Sequence, residues 1–302
     1  MSTMEQVAPG AAQAPVSNVK LATTGNRILR SRRFLQKHRF LTIGLAIVLS
    51  VTLIGLVGPF FYPYDHTEQD WMNILAAPSR EHLLGTDDLG RDELARLMVG
   101  ARISLLVAVG AAIGASVIGS VIGLFAGYLG GWTESALMRL MDALYAFPSL
   151  VLAIALVGII GAGTWQAIFA ISIAAVPKFA RLMRAQTLRL RDSDYVVASM
   201  VAGASPLRLI SRHIVPNAVG VVIIVASSTA GFAVLTEASL SFLGLGVRPP
   251  NPAWGSMLKS GYQFLDRAAW LAVIPGFAIS LLVLGFNLIG DGLRDLLDPR
   301  AR

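Results

Sequence analysis

Residues 195–217 read YVVASMVAGASPLRLISRHIVPN, a short basic segment punctuated by glycine and proline and set between long apolar runs. The carboxylate of Asp194 can accept a hydrogen bond from the unpaired amides of a first helical turn, which predicts a helix over Tyr195 to Ala202. Gly203 suits the left-handed residue that closes such a helix. Ser205 and Pro206 then read as an N-cap and first helical position, opening a second helix toward Val215. The pattern is helix, glycine turn, helix, running directly into an apolar segment of spanning length.

The surrounding chain is a bilayer protein by composition. Of 302 residues, 55% are hydrophobic and only 14% charged, and the mean hydropathy is +0.65, which places the chain in the membrane class. There is no cysteine, so disulfides, thiolate metal sites and cysteine nucleophiles are excluded. A formal charge of +7 suggests nucleic acid in a soluble protein. Here the cations cluster beside apolar runs, and orientation in the bilayer explains them better, with no nucleic-acid partner.

An apolar core about 30 Å thick is crossed by roughly 20 helical residues. Runs of that length are Phe40 to Phe61, Ile103 to about Tyr128, Ile214 to Thr236 and Ala268 to Gly290. The stretch Ala143 to Pro177 is too long for one crossing, and Gly161-Ala162-Gly163-Thr164 supplies a turn inside it. It is read as a hairpin, with spans at about Leu140 to Ile160 and Thr164 to Phe179, and with Lys178 and Arg181 snorkelling.

Charge placement supports that choice. Residues 1–40 carry Lys20, Arg27, Arg30, Arg32, Arg33, Lys37 and Arg39 against Glu5 alone, and Lys178 to His213 carries seven Lys and Arg residues. Both segments face the cytoplasm only if the hairpin is present. The loop from Tyr62 to Ala101 holds eight acids and three arginines, which fits the outer side. The expectation is an all-α polytopic protein of six transmembrane helices with both termini cytoplasmic. It divides into a cytoplasmic tail (1–40), a first span (41–61), an outer loop (62–101), a core of five spans (102–290) containing the cytoplasmic loop 192–217, and a cytoplasmic tail (291–302).

Met1 to Asn18 lack an apolar run and read as a disordered tail without a cleavable signal peptide. The following ILRSRRFLQKHRF (28–40) has two readings, a basic amphipathic helix at the anionic inner leaflet or plain topogenic charges. In the second span Gly110 and Gly114, then Gly119, Gly123 and Gly127, recur every four residues. Small residues at that interval let helix backbones approach, so these five are assigned to packing.

Catalytic signatures are missing. The chain has no G-x-x-x-x-G-K-[ST] loop, H-E-x-x-H pair or G-x-S-x-G elbow. No ionisable relay lies at mid-depth, which argues against a proton- or sodium-coupled carrier. Arg139 and Asp142, at i and i+3, can pair with each other; Glu237 falls near the outer end of its span as a paired or snorkelling boundary charge. Enzymatic activity, a membrane-embedded hydrolase included, is not expected.

The segment Val197 to Pro216 resembles the EAA loop of membrane subunits of ATP-driven, binding-protein-dependent importers. That pattern is Glu-Ala-Ala, three residues, Gly, nine residues, Ile, one residue, Leu-Pro. Here it stands as Val197-Ala198-Ser199, Gly203 and His213-Ile214-Val215-Pro216. Val197 replaces the initial Glu, so a salt bridge from that position does not carry over. Leu83 to Leu105, Arg139 to Ile154, Ala238 to Leu258 and Phe286 to Arg300 are similar to the second permease subunit of the dipeptide, oligopeptide and nickel branch. The resemblance covers nearly everything after Arg27.

It implies a type I ABC importer permease fold in the bacterial cytoplasmic membrane. It also implies a homologous second permease, two cytoplasmic ABC ATPase subunits that bind ATP and Mg, and an extracytoplasmic substrate-binding protein. This chain would hold no cofactor or metal and would contact membrane lipid. By resemblance the coupling residues are Asp194, Tyr195, Ala198, Ser199, Gly203, Ala204, Ser205, Pro206 and Pro216. Pro148, Gly161 and Gly163 are candidate gating positions. Di- and oligopeptides are the expected cargo, with nickel, glutathione, an opine or a sugar-like solute as alternatives. The outer turns Gly85-Thr86-Asp87-Asp88 and Gly90-Arg91-Asp92 lead into a short helix, Glu93 to Val99. Trp254, in a proline-rich loop, suits the membrane interface.

Overall fold

The computed structural model describes residues 39–297; the tail and the basic segment 28–38 lie outside them. Within the described residues the elements are helical: α1 (Arg39–Phe61), α2 (Glu93–Leu129), α3 (Gly131–Tyr145), α4 (Ser149–Ile160), α5 (Thr164–Arg191), α6 (Asp194–Val201), α7 (Pro206–Leu209), α8 (Val215–Phe242), α9 (Trp254–Gln263) and α10 (Trp270–Leu297). A π-helical turn, Ile210–Ile214, joins α7 to α8 without a break. Five of these segments are long and apolar enough to cross a bilayer, and α3 with α4 forms a further pair bent by 91°.

Neighbour relations along the helices establish how often the chain traverses the bundle. Gly110, Gly114, Gly119 and Gly127 of α2 lie against Ile168, Ser172, Phe179 and Thr187 of α5 in that order. The two helices therefore run parallel, and the bent pair between them returns the chain once. Against α10, by contrast, Gly44 of α1 meets Gly285 and Ile289 while Leu41 meets Gly292, an antiparallel pairing. The result is six traverses. One end carries the start of α1, the end of α10 and the α6–α7 elbow; the other carries residues 62–92 and 243–269.

The third span expected over about Leu140 to Ile160 forms as the bent pair α3 and α4. Pro148 interrupts it, because proline lacks the N–H that the preceding turn would need and its ring opposes the carbonyl four residues back. α3 ends at Tyr145, and Pro148 occupies the N-cap position of α4. Asp142 does not pair with Arg139. It takes Arg181 of α5 at 2.7 Å, and Arg181 also lies 4.0 Å from the centre of the Tyr145 ring. Glu134 likewise takes Arg184. These cross-helix pairs hold α3 against α5 at the elbow end, with Met141 buried on Val176 and Ala180.

The expected short helix Glu93 to Val99 is instead the first part of the 37-residue α2. Asp92 caps it, accepting from the amide of Ala95 at 2.8 Å. Trp254 is not at an interface: it is 2% exposed and donates its indole N–H to the Leu97 carbonyl at 2.9 Å. Glu237 neither snorkels nor has an ion-pair partner among the described residues. It is fully buried, accepting from Ser241 of its own helix at 2.6 Å and from Ser104 of α2 at 3.5 Å.

At the α2–α5 seam a Cβ on Gly119 would stand 2.6 Å from the Val176 carbonyl oxygen, and one on Gly123 would strike the Ala180 carbonyl. Only a hydrogen at these positions permits the backbones to touch, and dispersion contacts of this kind hold helices together where lipid supplies no hydrophobic drive.

Candidate functional site

Two features on α5 and α8 can do work: the elbow that joins these helices at one end, and a cavity between them further along. Both follow from local sequence.

α5 closes on Arg189 and Arg191, cations suited to the negative end of a helix. Ser193, with φ −78° and ψ 145°, occupies the N-cap position of α6, and Asp194 becomes its first helical residue. The N-cap position expected at Asp194 thus falls one residue earlier, and the Ser193 hydroxyl donates to Leu190 O at 2.5 Å instead of capping the turn. The charge of Asp194 remains in the first turn, where the helix dipole favours it. At the far end Gly203 has φ +84°. Its amide donates to Met200 O at 3.0 Å, and the Ala204 amide donates to Ser199 O at 3.0 Å. This is a Schellman closure, which satisfies two carbonyls that α6 leaves open.

Ser205 is the N-cap of α7 and Pro206 its first residue. The π turn that follows has a cause in Pro216. Without an N–H to offer and with a ring that crowds the carbonyl four residues back, proline widens the preceding turn. Val215 N–H accordingly bonds Ile210 O, five residues away. α7, the π turn and α8 form one continuous rod.

The elbow attaches to the bundle through little. Val196 is the single buried residue of α6, and Leu209 and Ile214 are the buried residues of the segment that follows it up to α8. Tyr195 lies 6.0 Å from the His213 ring. The remaining apolar side chains point outward: Val201 is 84% and Leu207 75% exposed, with Tyr195, Val197 and Met200 also exposed. Exposed apolar side chains grouped on one element mark a surface for contact with another protein or with membrane. Of the residues read as coupling positions, Asp194, Tyr195, Ala198, Ser199, Gly203, Ala204, Ser205 and Pro206 lie along this elbow. Pro216 begins the rod behind it.

The cavity, about 320 Å³, is lined by Tyr145 at the end of α3, Ser149 of α4, Ile171, Ala174, Ala175 and Lys178 of α5, and Thr229, Phe232 and Thr236 of α8. Pro148, at the α3–α4 break, adjoins Ser149 at its rim. Gly161 and Gly163 are at the opposite end, in the α4–α5 turn, where a Cβ on Gly161 would lie 3.7 Å from Arg248. Lys178 does not snorkel along its helix. Its ammonium donates across to Thr229 Oγ1 at 3.2 Å. Sequence reasoning took this lysine as snorkelling because it stands at the edge of an apolar run. Its cross-helix aim was not visible without α8.

The end opposite the elbow is built differently. His82 Nδ1 is 2.9 Å from Asp92, which also accepts from the Tyr62 hydroxyl at 3.1 Å. Burial, and then the Asp92 carboxylate, push the Tyr62 phenol well above its usual range. Asp87 holds Arg91 at 2.7 Å and faces Arg96 at 3.3 Å.

Comparison with known proteins gives a consistent result. Residues 119–302 match the family described as binding-protein-dependent transport system inner membrane component, and residues 29–78 match the N-terminal transmembrane domain of oligopeptide transport permease C. The chain is 43% identical over 268 residues to the dipeptide transport system permease protein DppC of Alkalihalophilus pseudofirmus, covering 89% of this chain and 88% of that one. It is 42% identical over 272 residues to the glutathione transport system permease protein GsiD of Shigella flexneri (90% and 89% covered). With the oligopeptide transport system permease protein OppC of Bacillus subtilis it shares 39% over 298 residues (97% and 96%). Among solved structures, an inward-facing form of the MetNI methionine ABC transporter superposes with a TM-score of 0.54 at 20% identity, covering 66% of this chain and 95% of that one. That likeness concerns the fold.

Proposed function

Because the chain belongs to the family of binding-protein-dependent transport system inner membrane components, we propose that it is one of two permease subunits of an ATP-driven importer of small peptides. The relatives are named for dipeptide, oligopeptide and glutathione transport, and glutathione is itself a tripeptide. The chain is a multi-pass inner-membrane permease subunit. Two cytoplasmic ATPase subunits, holding ATP and Mg, supply the energy. A second permease completes the pathway, and an extracytoplasmic binding protein delivers the cargo. The elbow end, with both ends of the described chain, faces the cytoplasm.

The observation that carries this reading is the connection between elbow and cavity. The exposed face of α6 is fixed between α5 and the α7–α8 rod, and those two helices are walls of the cavity. A motor that grips α6 and closes on ATP applies its displacement to both walls at once. The continuous rod carries it to Thr229 and Phe232, about four turns into α8. Alternating access then follows as a rigid-body rearrangement about the cavity. Ser149 and Tyr145, flanking the Pro148 break, provide the third wall.

The test uses the absence of cysteine in this chain. In the assembled importer, a Val201→Cys variant should cross-link to an ATPase subunit, and a thiol at Ser205 should react with an impermeant reagent only from the cytoplasmic side. Labelling of Ser205→Cys from outside intact cells would sink the proposal.

A further inference from the structure

We propose that Lys178 is an anion-binding point in the wall of the α5–α8 cavity, oriented by Thr229, and that it holds a carboxylate of the cargo during passage. The inference rests on the peptide-importer reading and adds to it the chemistry of one contact.

Depth is the first reason. Lys178 lies fourteen residues after Thr164, about 21 Å along α5 at 1.5 Å per residue. With the outer edge of an apolar layer about 30 Å thick placed at Thr164, Lys178 lies within that layer. A cation kept at such a depth is costly and marks a pathway or a partner. Direction is the second. A snorkelling lysine extends along its helix toward the headgroups, whereas this ammonium crosses to Thr229 on the neighbouring helix at 3.2 Å. The Thr229 hydroxyl gives its own proton to Val225 O at 2.8 Å. It is thus committed as an acceptor toward Lys178, and it positions the ammonium without competing for an anion.

Lack of compensation is the third. Two carboxylates of the adjoining α3 are occupied, Asp142 by Arg181 and Glu134 by Arg184. Among the described residues no Asp or Glu lies within 4.0 Å of Lys178. An ammonium has three donors, and one is used. Lys178 itself is exposed in the single subunit, and the rest of the lining is Ile171, Ala174, Ala175, Phe232 and hydroxyl side chains, so an anion reaching the ammonium from the open side meets no competing carboxylate. Small-molecule pockets run to roughly 300–1,000 Å³. At 320 Å³ this one is a fitting half-site for a pathway completed by a second subunit. A free metal cation is repelled by such a wall. A dipeptide, an oligopeptide and glutathione each bring a terminal carboxylate.

The test uses the complete importer in nanodiscs of zwitterionic phosphatidylcholine, with Ala175→Cys as a maleimide reporter. Alanyl-alanine should slow labelling, and alanyl-alanine amide at the same concentration should not. Lys178→Met should abolish the protection and Lys178→Arg should retain it. In proteoliposomes supplied with binding protein and ATP, Lys178→Met should lower dipeptide uptake roughly tenfold or more, as expected for one lost charge-assisted hydrogen bond. Lys178→Arg should restore most of it. Equal protection by acid and amide, or full uptake in Lys178→Met, overturns the proposal. Protection that appears with phosphatidylglycerol and is indifferent to peptide assigns the site to a lipid phosphate and also overturns it. A wild-type complex that assembles yet takes up no peptide overturns the importer reading itself, and this inference with it.

Discussion

The two ends of the bundle solve opposite problems. At the loop end a polar interlock holds the chain: Asp92 joins the α2 amides, His82 and Tyr62, while Asp87 joins Arg91 and Arg96. At the elbow end α6 is anchored by one buried side chain, Val196, and shows the rest of its apolar surface to solvent. Buried hydrogen bonds are directional and fail if their partners shift. Apolar contact is not directional and can be remade against another surface. One end is built to keep its shape, the other to be covered.

Substitutions can break this contrast. The largest loss of stability is expected for Asp92→Ala, which removes the α2 cap and the partners of His82 and Tyr62, at about 1 kcal/mol for each of three bonds. Thermal unfolding of the purified complex should fall accordingly. Gly203→Leu should cost about 1–2 kcal/mol, since φ is +84° there. No atom lies within 4 Å of the site of an added Cβ, so the cost is conformational only. The complex should remain in the membrane with uptake impaired; wild-type uptake would show that the closure of α6 is immaterial. Trp254→Phe removes one bond to Leu97 and should cost about 1 kcal/mol, with uptake nearly intact. Val201→Ser should change the stability of the chain by less than about 0.5 kcal/mol while weakening ATPase co-purification. A large stability loss in that variant would mean that the elbow is held by more than Val196.

Much of the elbow was legible because its signals are local. Gly203, Ser205 and Pro206 each act on their own backbone, and that chemistry does not depend on what packs nearby. The apolar runs were equally plain, and they yield six traverses. What escaped were features decided by a partner far away in sequence. Asp142 and Arg139 stand three apart and look like a pair, yet Arg181 on another helix takes the carboxylate. Glu93 and Arg96 read as part of a short helix ending at Val99, while in the fold they begin the 37-residue α2 beside Asp87. Lys178 was assigned to a headgroup, since the hydroxyl that orients it lies fifty-one residues ahead. Pro148 was read as a gating position inside one span, and its 91° consequence depends on α3 finding a seat on α5.

The hydrogen-only surface of α2 restricts motion as well as permitting contact. With the Val176 and Ala180 carbonyls resting on Gly119 and Gly123, α5 cannot spin about its long axis, because any turn would drive Phe179 or Met183 into the neighbouring backbone. During a transport cycle these two helices must therefore travel as a single plank. On the proposed importer reading, the change of shape that opens and shuts the passage is expected where α5 faces α8 and α4, across hydroxyls and alanines.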